Sequence, residues 1–141
     1  LAATRADAGD PKAEDAAERL SSRPDIFASC YGVNSLARIS REFTEKLAGK
    51  NDPLPEELRG MDPIQNVSAD TPPAFLWHTA RDGRVSVQNS LDLAAALTEH
   101  GIAYSLHVFP HGDHALGLAE GVPLTEGWPE LLNRFLLDFG F

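Results

Sequence analysis

The stretch from Thr71 to Phe109 reads TPPAFLWHTARDGRVSVQNSLDLAAALTEHGIAYSLHVF, and it decides the fold. Two prolines precede an apolar run from Ala74 to Trp77, which is typical of a buried strand. A second run, GIAYSLHVF, alternates more and is expected nearer the sheet edge. Between them lies a helical pattern with a stop at Gly101 and an apolar face formed by Ser90, Leu93, Ala94 and Leu97. Strand, helix and strand in this order predict parallel strands with a right-handed crossover.

Further elements lie on both sides of this unit. The near-continuous apolar run from Ile26 to Tyr31 is bounded by proline and glycine, which predicts a strand buried on both faces. The closing segment WPELLNRFLLDFGF carries one apolar stripe and predicts a helix that covers one face of the sheet. Residues 36–70 contain a helical pattern ending at Gly49 and then many prolines, acids and turn formers. We interpret them as a cap-like excursion between strands.

The fold class predicted from these elements is α/β, with a mainly parallel sheet flanked by helices and one domain over residues 1–141. The net charge of −9 argues against nucleic acid or an anionic membrane as a partner. No apolar run approaches the roughly 18–20 residues of a membrane span. The single cysteine, Cys30, excludes an internal disulfide and a Cys-rich zinc site, and its apolar neighbours predict an inert thiol.

Titratable residues follow two of the predicted strands. HTARDGRV comes after the strand that ends near Trp77, and PHGDHALG comes after Phe109. Reactive residues of open α/β sheets lie just past the carboxyl ends of strands, so Asp82 and His114 are expected side by side. A carboxylate next to an imidazole is the acid and base half of a catalytic triad. The order of acid, helix and base also follows the nucleophile in α/β-hydrolases.

Other interpretations of these residues stay open. Asp82 lies in RDG, which suits a simple turn, and His111 competes with His114 for the role of base. His111, Asp113 and His114 together could bind a metal, although three ligands so close along a turn converge poorly. His78 is interpreted as a structural residue, hydrogen-bonded beneath the site.

The residues from Thr71 to Ala119 resemble the C-terminal catalytic stretch of the α/β-hydrolase superfamily. The similarity is to the esterases grouped with acetyl xylan esterases and lipase-like carboxylesterases. The motif D-x-x-V, which carries the triad acid in that group, is matched by Asp82 to Val85, with Ser86 where proline is usual. A glycine two positions before the base is matched by Gly112 and His114.

The resemblance implies an activity and a missing part. Leu1-Ala2-Ala3 resembles the helix that follows the family's nucleophile elbow, which places the serine about five residues before Leu1. No G-x-S-x-G occurs in the 141 residues. We therefore expect the C-terminal half of a serine hydrolase, which depends on the N-terminal half of its fold and is inactive alone. A signal peptide would precede Leu1, so the compartment is open, with the cytoplasm favoured.

The implied substrate is a small carboxylic ester, with short acyl groups, including acetyl groups on sugars, fitting best. No cofactor and no metal are implied, and oligomeric state is open. Two alternatives remain. One is the catalytic domain of a prolyl-oligopeptidase-type serine peptidase, which shares the late D-x-x-V and histidine pattern. The other is a non-catalytic half-fold that has lost its nucleophile.

Overall fold

The strands form one parallel sheet in the order β1-β2-β3, in a computed structural model that describes residues 3–141. The expectation based on Leu1 and Ala2 lies outside the described residues. The strands are β1 (Phe27–Cys30), β2 (Ala74–Thr79) and β3 (Tyr104–Phe109). The helices are α1 (Arg41–Ala48), α2 (Pro55–Met61), α3 (Gln88–Glu99) and α4 (Trp128–Asp138), with short 3-10 turns at Leu36–Arg38, Ile64–Asn66 and Thr125–Gly127.

The central strand β2 carries the core, because all six of its residues are buried. Successive side chains of a strand point to opposite faces. Ala74 and Leu76 pack into the apolar cluster on the α3 side. Phe75 and Trp77 contact the aromatic rings of α4 on the other side, with Trp77 stacked on Trp128 at a centroid distance of 5.1 Å. Helices therefore cover both faces of β2, and the predicted α/β class is confirmed.

The βαβ unit is present as expected. β2 and β3 pair in parallel, and α3 connects them with its predicted apolar face buried. Gly101, at φ 69°, ends the helix in the left-handed conformation that glycine adopts at low cost. The amide of Ile102 then donates to the carbonyl of Leu97 over 2.9 Å, which turns the chain directly into β3.

The expectation of a first strand buried on both faces is wrong in the described structure. β1 spans only Phe27–Cys30, and Ala28 is exposed. The physical reason is that, among the described residues, β1 pairs with β2 alone and no helix packs closely against its faces. A continuous apolar run thus indicated a strand correctly, but not how its faces are covered.

Residues 36–70 form the longest connection between strands, and they contain a helix that the sequence reading missed. α1 is capped by the Ser40 hydroxyl, which accepts from the Phe43 amide over 3.3 Å, and Gly49 ends it as predicted. α2 starts at Pro55, followed by two glutamates in its first turn. Proline at the first helical position and acids beside the helix N-terminus favour a helix start, a signal hidden among the turn formers.

The excursion is tied to the sheet through buried polar groups. The Asp62 carboxylate accepts hydrogen bonds of 3.0 Å from the amides of Leu36 and Ile64. The side-chain oxygen of Asn89, in α3, accepts from the amides of Asn34 and Ser35, each over 3.1 Å. These contacts fix where the chain leaves β1.

Across residues 3–141, every helix is too short or too polar to cross a lipid bilayer.

Replacing Leu97 by alanine tests the packing of α3 on the sheet. Leu97 is fully buried in the core cluster, so Leu97→Ala should lower the free energy of unfolding by about 2–5 kcal/mol in urea titrations. Leu137→Ala is the control, because Leu137 is 63% exposed on α4 and its loss should cost less than about 0.5 kcal/mol. Equal losses in the two variants would contradict this packing.

Candidate active site

Two loops leave the carboxyl ends of β2 and β3 side by side. Thr79 and Phe109, the last residues of the two strands, are register partners. The loop after Thr79 brings Asp82 to the loop after Phe109, and Oδ2 of Asp82 lies 2.8 Å from Nδ1 of His114. The pair is 32 residues apart in the sequence. The structure thus brings together the two residues that the sequence pattern paired.

The Asp82 carboxylate is held by its own turn. Oδ1 accepts from the amides of Arg84 and Val85, each over 2.9 Å, and the side chain is fully buried. Burial is the largest influence and alone would raise the pKa of the Asp82 carboxyl. Hydrogen bonds from the Val85 amide, His114 and the Arg84 amide outweigh it, so the pKa lies below its usual value. Asp82 is therefore a carboxylate at neutral pH.

The tautomer of His114 follows from this contact. Nδ1 faces an ionised acceptor and therefore carries a proton, which leaves the lone pair of a neutral ring on Nε2. Within residues 3–141, Nε2 makes no hydrogen bond, and the side chain is 22% exposed. The ring edge also packs against Tyr31, with centroids 5.1 Å apart and planes at 70°. An imidazole oriented in this way can accept a proton at Nε2 from a group in front of it.

The loop that carries His114 is fixed at both of its ends. Oδ1 of Asp113 accepts from the amides of Gly83 and His114, over 3.0 and 2.8 Å, and so joins the two loops. These two amides lower the pKa of the Asp113 carboxyl. Further along, the Trp128 indole donates to the carbonyl of Gly117 over 3.0 Å. The loop is thereby anchored to the β2 loop and to α4.

Gly112 is required by the backbone conformation of this loop. Its φ of 111° lies in a region that residues with side chains rarely adopt. A Cβ at this position would also crowd Cδ1 of Leu116 and lie 3.3 Å from Cγ2 of Thr79, in β2. Sterics therefore explain why the residue two positions before His114 is a glycine.

His78 lies beneath Asp82, as the last but one residue of β2 rather than after the strand. Its Nε2 is 3.1 Å from Oδ2 of Asp82 and 2.8 Å from the carbonyl oxygen of Val85. Nδ1 is 2.8 Å from Oγ of Ser90 in α3. The sequence reading placed His78 below the site, but its contact with the carboxylate could not be seen from spacing.

The other candidates take no part in the contact between the Asp82 and His114 side chains. The carbonyl of His111 accepts from the Thr125 hydroxyl over 2.7 Å, and within the described chain its ring makes no hydrogen bond to Asp82. No group of three or more histidine, cysteine, aspartate or glutamate side chains within residues 3–141 is arranged to hold a metal ion. Cys30 is only partly buried, and burial raises the pKa of its thiol, which disfavours a thiolate.

A cleft of about 620 Å³ opens in front of His114. It extends from the end of β1 to the turn after Asp82 and to the start of α1. Apolar, aromatic and cationic side chains share its lining with His114, namely Cys30, Tyr31, Val33, Arg38, Ile39, Ser40, Phe43, Arg84 and Val85. The excursion, predicted as cap-like, thus forms one wall of the space that His114 faces.

The family model described as the prolyl oligopeptidase family matches residues 20–123, which include both loops and all three strands. The chain belongs to this family. The matched residues include the βαβ unit, Asp82 and His114. The resemblance to the α/β-hydrolase superfamily is confirmed with it.

Solved structures with the same fold carry names of ester hydrolases. The acetyl ester-xyloside bifunctional hydrolase from Caldicellulosiruptor lactoaceticus superposes with a TM-score of 0.93 at 42% identity, over 99% of this chain and 52% of that one. The carboxylesterase Cest-2923 from Lactobacillus plantarum gives a TM-score of 0.70 at 26% identity, over 82% and 45% of the two chains. This chain therefore spans about half the length of the structures it matches.

One curated relative is similar over a shorter stretch. The endo-1,4-beta-xylanase B of Butyrivibrio fibrisolvens is 36% identical over 110 residues, which are 77% of this chain and 17% of that protein.

The buried Asp82 carboxylate should make stability depend on pH. Its pKa is lowered in the folded state, so its contribution is present at neutral pH and is lost as the pH falls through the folded pKa. Asp82→Asn should lower the free energy of unfolding by about 1.5–3 kcal/mol at pH 7, as the loss of hydrogen bonds to a charged group does. The difference from the wild type should shrink as the pH falls below about 4.

Urea unfolding at pH 7 and pH 3 measures this difference. Asp138→Asn, at the exposed end of α4, is the control and should change stability little at either pH. A gap between wild type and Asp82→Asn that is the same at both pH values would contradict the role of the ionised carboxyl.

Proposed function

We propose that the protein is a serine-type carboxylic ester hydrolase in which Asp82 and His114 are the triad acid and base. The observation that carries the proposal is the 2.8 Å contact between Oδ2 of Asp82 and Nδ1 of His114, which leaves Nε2 of His114 facing the cleft. A carboxylate that fixes the tautomer and stabilises the imidazolium is what a triad acid provides.

In the proposed reaction a serine hydroxyl attacks the acyl carbon of the ester, and its proton moves to Nε2 of His114. His114 then gives that proton to the departing alcohol, and the acyl group remains on the serine. Water adds to the acyl carbon, again passing a proton to Nε2, and the acid leaves as the serine regains its proton. Asp82 stays ionised throughout and balances the positive charge on the imidazolium. No cofactor enters these steps.

The serine is proposed to come from a part of the fold outside these 141 residues. Residues 1–141 contain no G-x-S-x-G, and the chain spans about half of the solved structures with the same fold. The amides that stabilise the oxyanion belong to the same elbow and to a neighbouring loop in hydrolases of this type. The active enzyme is then a fold completed by its N-terminal half, to which residues 1–141 contribute the acid, the base and one wall of the cleft.

The proposed substrate class is a short acyl ester on a carbohydrate. The relatives named above include an acetyl ester-xyloside hydrolase and a xylanase. The cleft agrees with this class, because Tyr31 and Phe43 offer aromatic surface to a sugar ring. Residues 36–70, proposed as the cap, place Phe43 there.

Hydrolysis of p-nitrophenyl acetate by the complete product of the gene tests the activity. His114→Ala should lower kcat/KM by about 10²–10⁴-fold, because general base catalysis is lost. Asp82→Asn should cause a loss of similar size by removing the charge that stabilises the imidazolium. His111→Ala is the matched control, a histidine of the same loop whose ring does not contact Asp82, and it should leave kcat/KM nearly unchanged. Full activity in His114→Ala would overturn the proposal.

The sugar preference can be tested at Phe43. Phe43→Ala should raise KM for acetylated xylo-oligosaccharides by about tenfold, as the loss of one aromatic contact does, while KM for p-nitrophenyl acetate changes little. Leu47→Ala is the control, since Leu47 lies on the same helix, is 47% exposed compared with 45% for Phe43, and does not line the cleft. Equal effects on both substrates would argue against a sugar bound at Phe43.

A serine peptidase is the second candidate, and the match to the prolyl oligopeptidase family favours it. The same acid and base would serve amide hydrolysis. A proline-containing peptide p-nitroanilide, assayed beside the acetyl ester, distinguishes the two. Cleavage of the anilide with a higher kcat/KM than the ester would select the peptidase.

A further inference from the structure

His78 contacts the proposed triad acid from the side opposite to the cleft, and its side chain is fully buried. It lies on the same face of β2 as Ala74 and Leu76, because side chains alternate along the strand. That face is covered by α3, where Ser90 meets Nδ1 of the ring. The ring thus lies between the helix and the Asp82 turn, with no access to the cleft.

The contacts of the ring define where its proton is. Nε2 faces two oxygens that can only accept, Oδ2 of Asp82 at 3.1 Å and the carbonyl of Val85 at 2.8 Å. An unprotonated Nε2 would place its lone pair against both of them, so Nε2 carries the hydrogen. The Ser90 hydroxyl can donate to Nδ1, which satisfies a neutral ring completely. One tautomer then explains all three contacts of the ring.

The carboxylate consequently receives four hydrogen bonds. Oδ1 accepts from two backbone amides, and Oδ2 accepts from Nδ1 of His114. Oδ2 also accepts from Nε2 of His78, whose single hydrogen is shared with the nearer carbonyl oxygen of Val85. The two rings share a single oxygen atom. The donation from His78 fixes the direction of that oxygen.

We infer that His78, itself held by Ser90, is a positioning residue that keeps Oδ2 of Asp82 on Nδ1 of His114. This inference rests on the proposed function of Asp82 and His114. His78 itself neither gains nor loses a proton during the reaction, and it touches no reacting atom.

The test compares variants in the complete gene product. His78→Phe removes the donor while keeping a ring of similar size, and it should lower kcat for p-nitrophenyl acetate by about 10–100-fold with KM within about twofold. The acid limb of the kcat/KM profile should move to higher pH, because the full charge of Oδ2 then favours the imidazolium of His114. The charged and titratable groups around the pair, namely Tyr31, Arg84 and Asp113, are unchanged in this variant.

His78→Gln is the rescue variant, because its side-chain amide can donate to Oδ2 in place of Nε2. It should recover most of kcat and return the acid limb to the wild-type position. His107→Phe is the matched control, since this histidine lies on the adjacent strand and bonds only to Ser105 among the described side chains. It should leave both the rate and the pH profile unchanged.

The possible negative results distinguish failure of the proposed function from failure of the role of His78. Wild-type levels of activity in His114→Ala would overturn the proposed function. If His114→Ala is inactive but the acid limb of the kcat/KM profile is unshifted in His78→Phe, only the role of His78 is overturned. Equal loss of kcat in the Phe and Gln variants, with no shift of the acid limb, would show a purely structural residue.

A spectroscopic measurement decides the case in which His78→Phe fails to fold. The ¹⁵N shifts of the ring nitrogens in the wild-type protein should show His78 protonated at Nε2, coupled to a slowly exchanging proton. A ring protonated at Nδ1 alone would overturn the inference. In the folded Gln variant, the Nδ1 proton of His114 should keep its wild-type chemical shift, and a displaced resonance would equally count against the hydrogen bond.

Discussion

The arrangement of this edge of the sheet depends on one carboxylate. Asp82 lies in a turn beyond β2, and its oxygens accept from two amides of that turn and from two histidine rings. A buried carboxylate without partners is costly, so each of these donors helps to keep it ionised. The loops after β2 and β3 are held together through this group and through Asp113, and His114 takes its orientation from them.

The parts of the fold that the sequence predicted are those specified by local pattern. The sequence predicts β2 and α3 because the apolar pattern indicates a strand and then a helix, and Gly101 marks the end of that helix. The meeting of Asp82 and His114 followed from a topological rule, since parallel neighbours bring their carboxyl ends to one edge. Neither prediction required knowledge of side-chain packing.

The missed features depend on contacts between distant residues. α2 is short and begins at Pro55 within a proline-rich segment, so its helix-start signal resembled a turn. The apolar run of β1 predicts a strand that is buried on both faces, but the burial of each face depends on which elements pack against it. The contact of His78 with Asp82 depends on the path of the turn between them, and no periodicity encodes that path. Tyr31 reaches His114 only because β1 ends beside the same loop.

The connection that holds α1 and α2 has a consequence for how such a protein can diversify. It leaves β1 and returns to β2, while the Asp82 turn and the His114 loop belong to the next two connections along the chain. The entropic cost of closing a longer loop grows only slowly with its length. Insertions or exchanges between α1 and α2 can therefore reshape the wall of the cleft and leave the Asp82 turn and the His114 loop untouched, so that the lining of the cleft and the proposed acid–base pair can evolve separately.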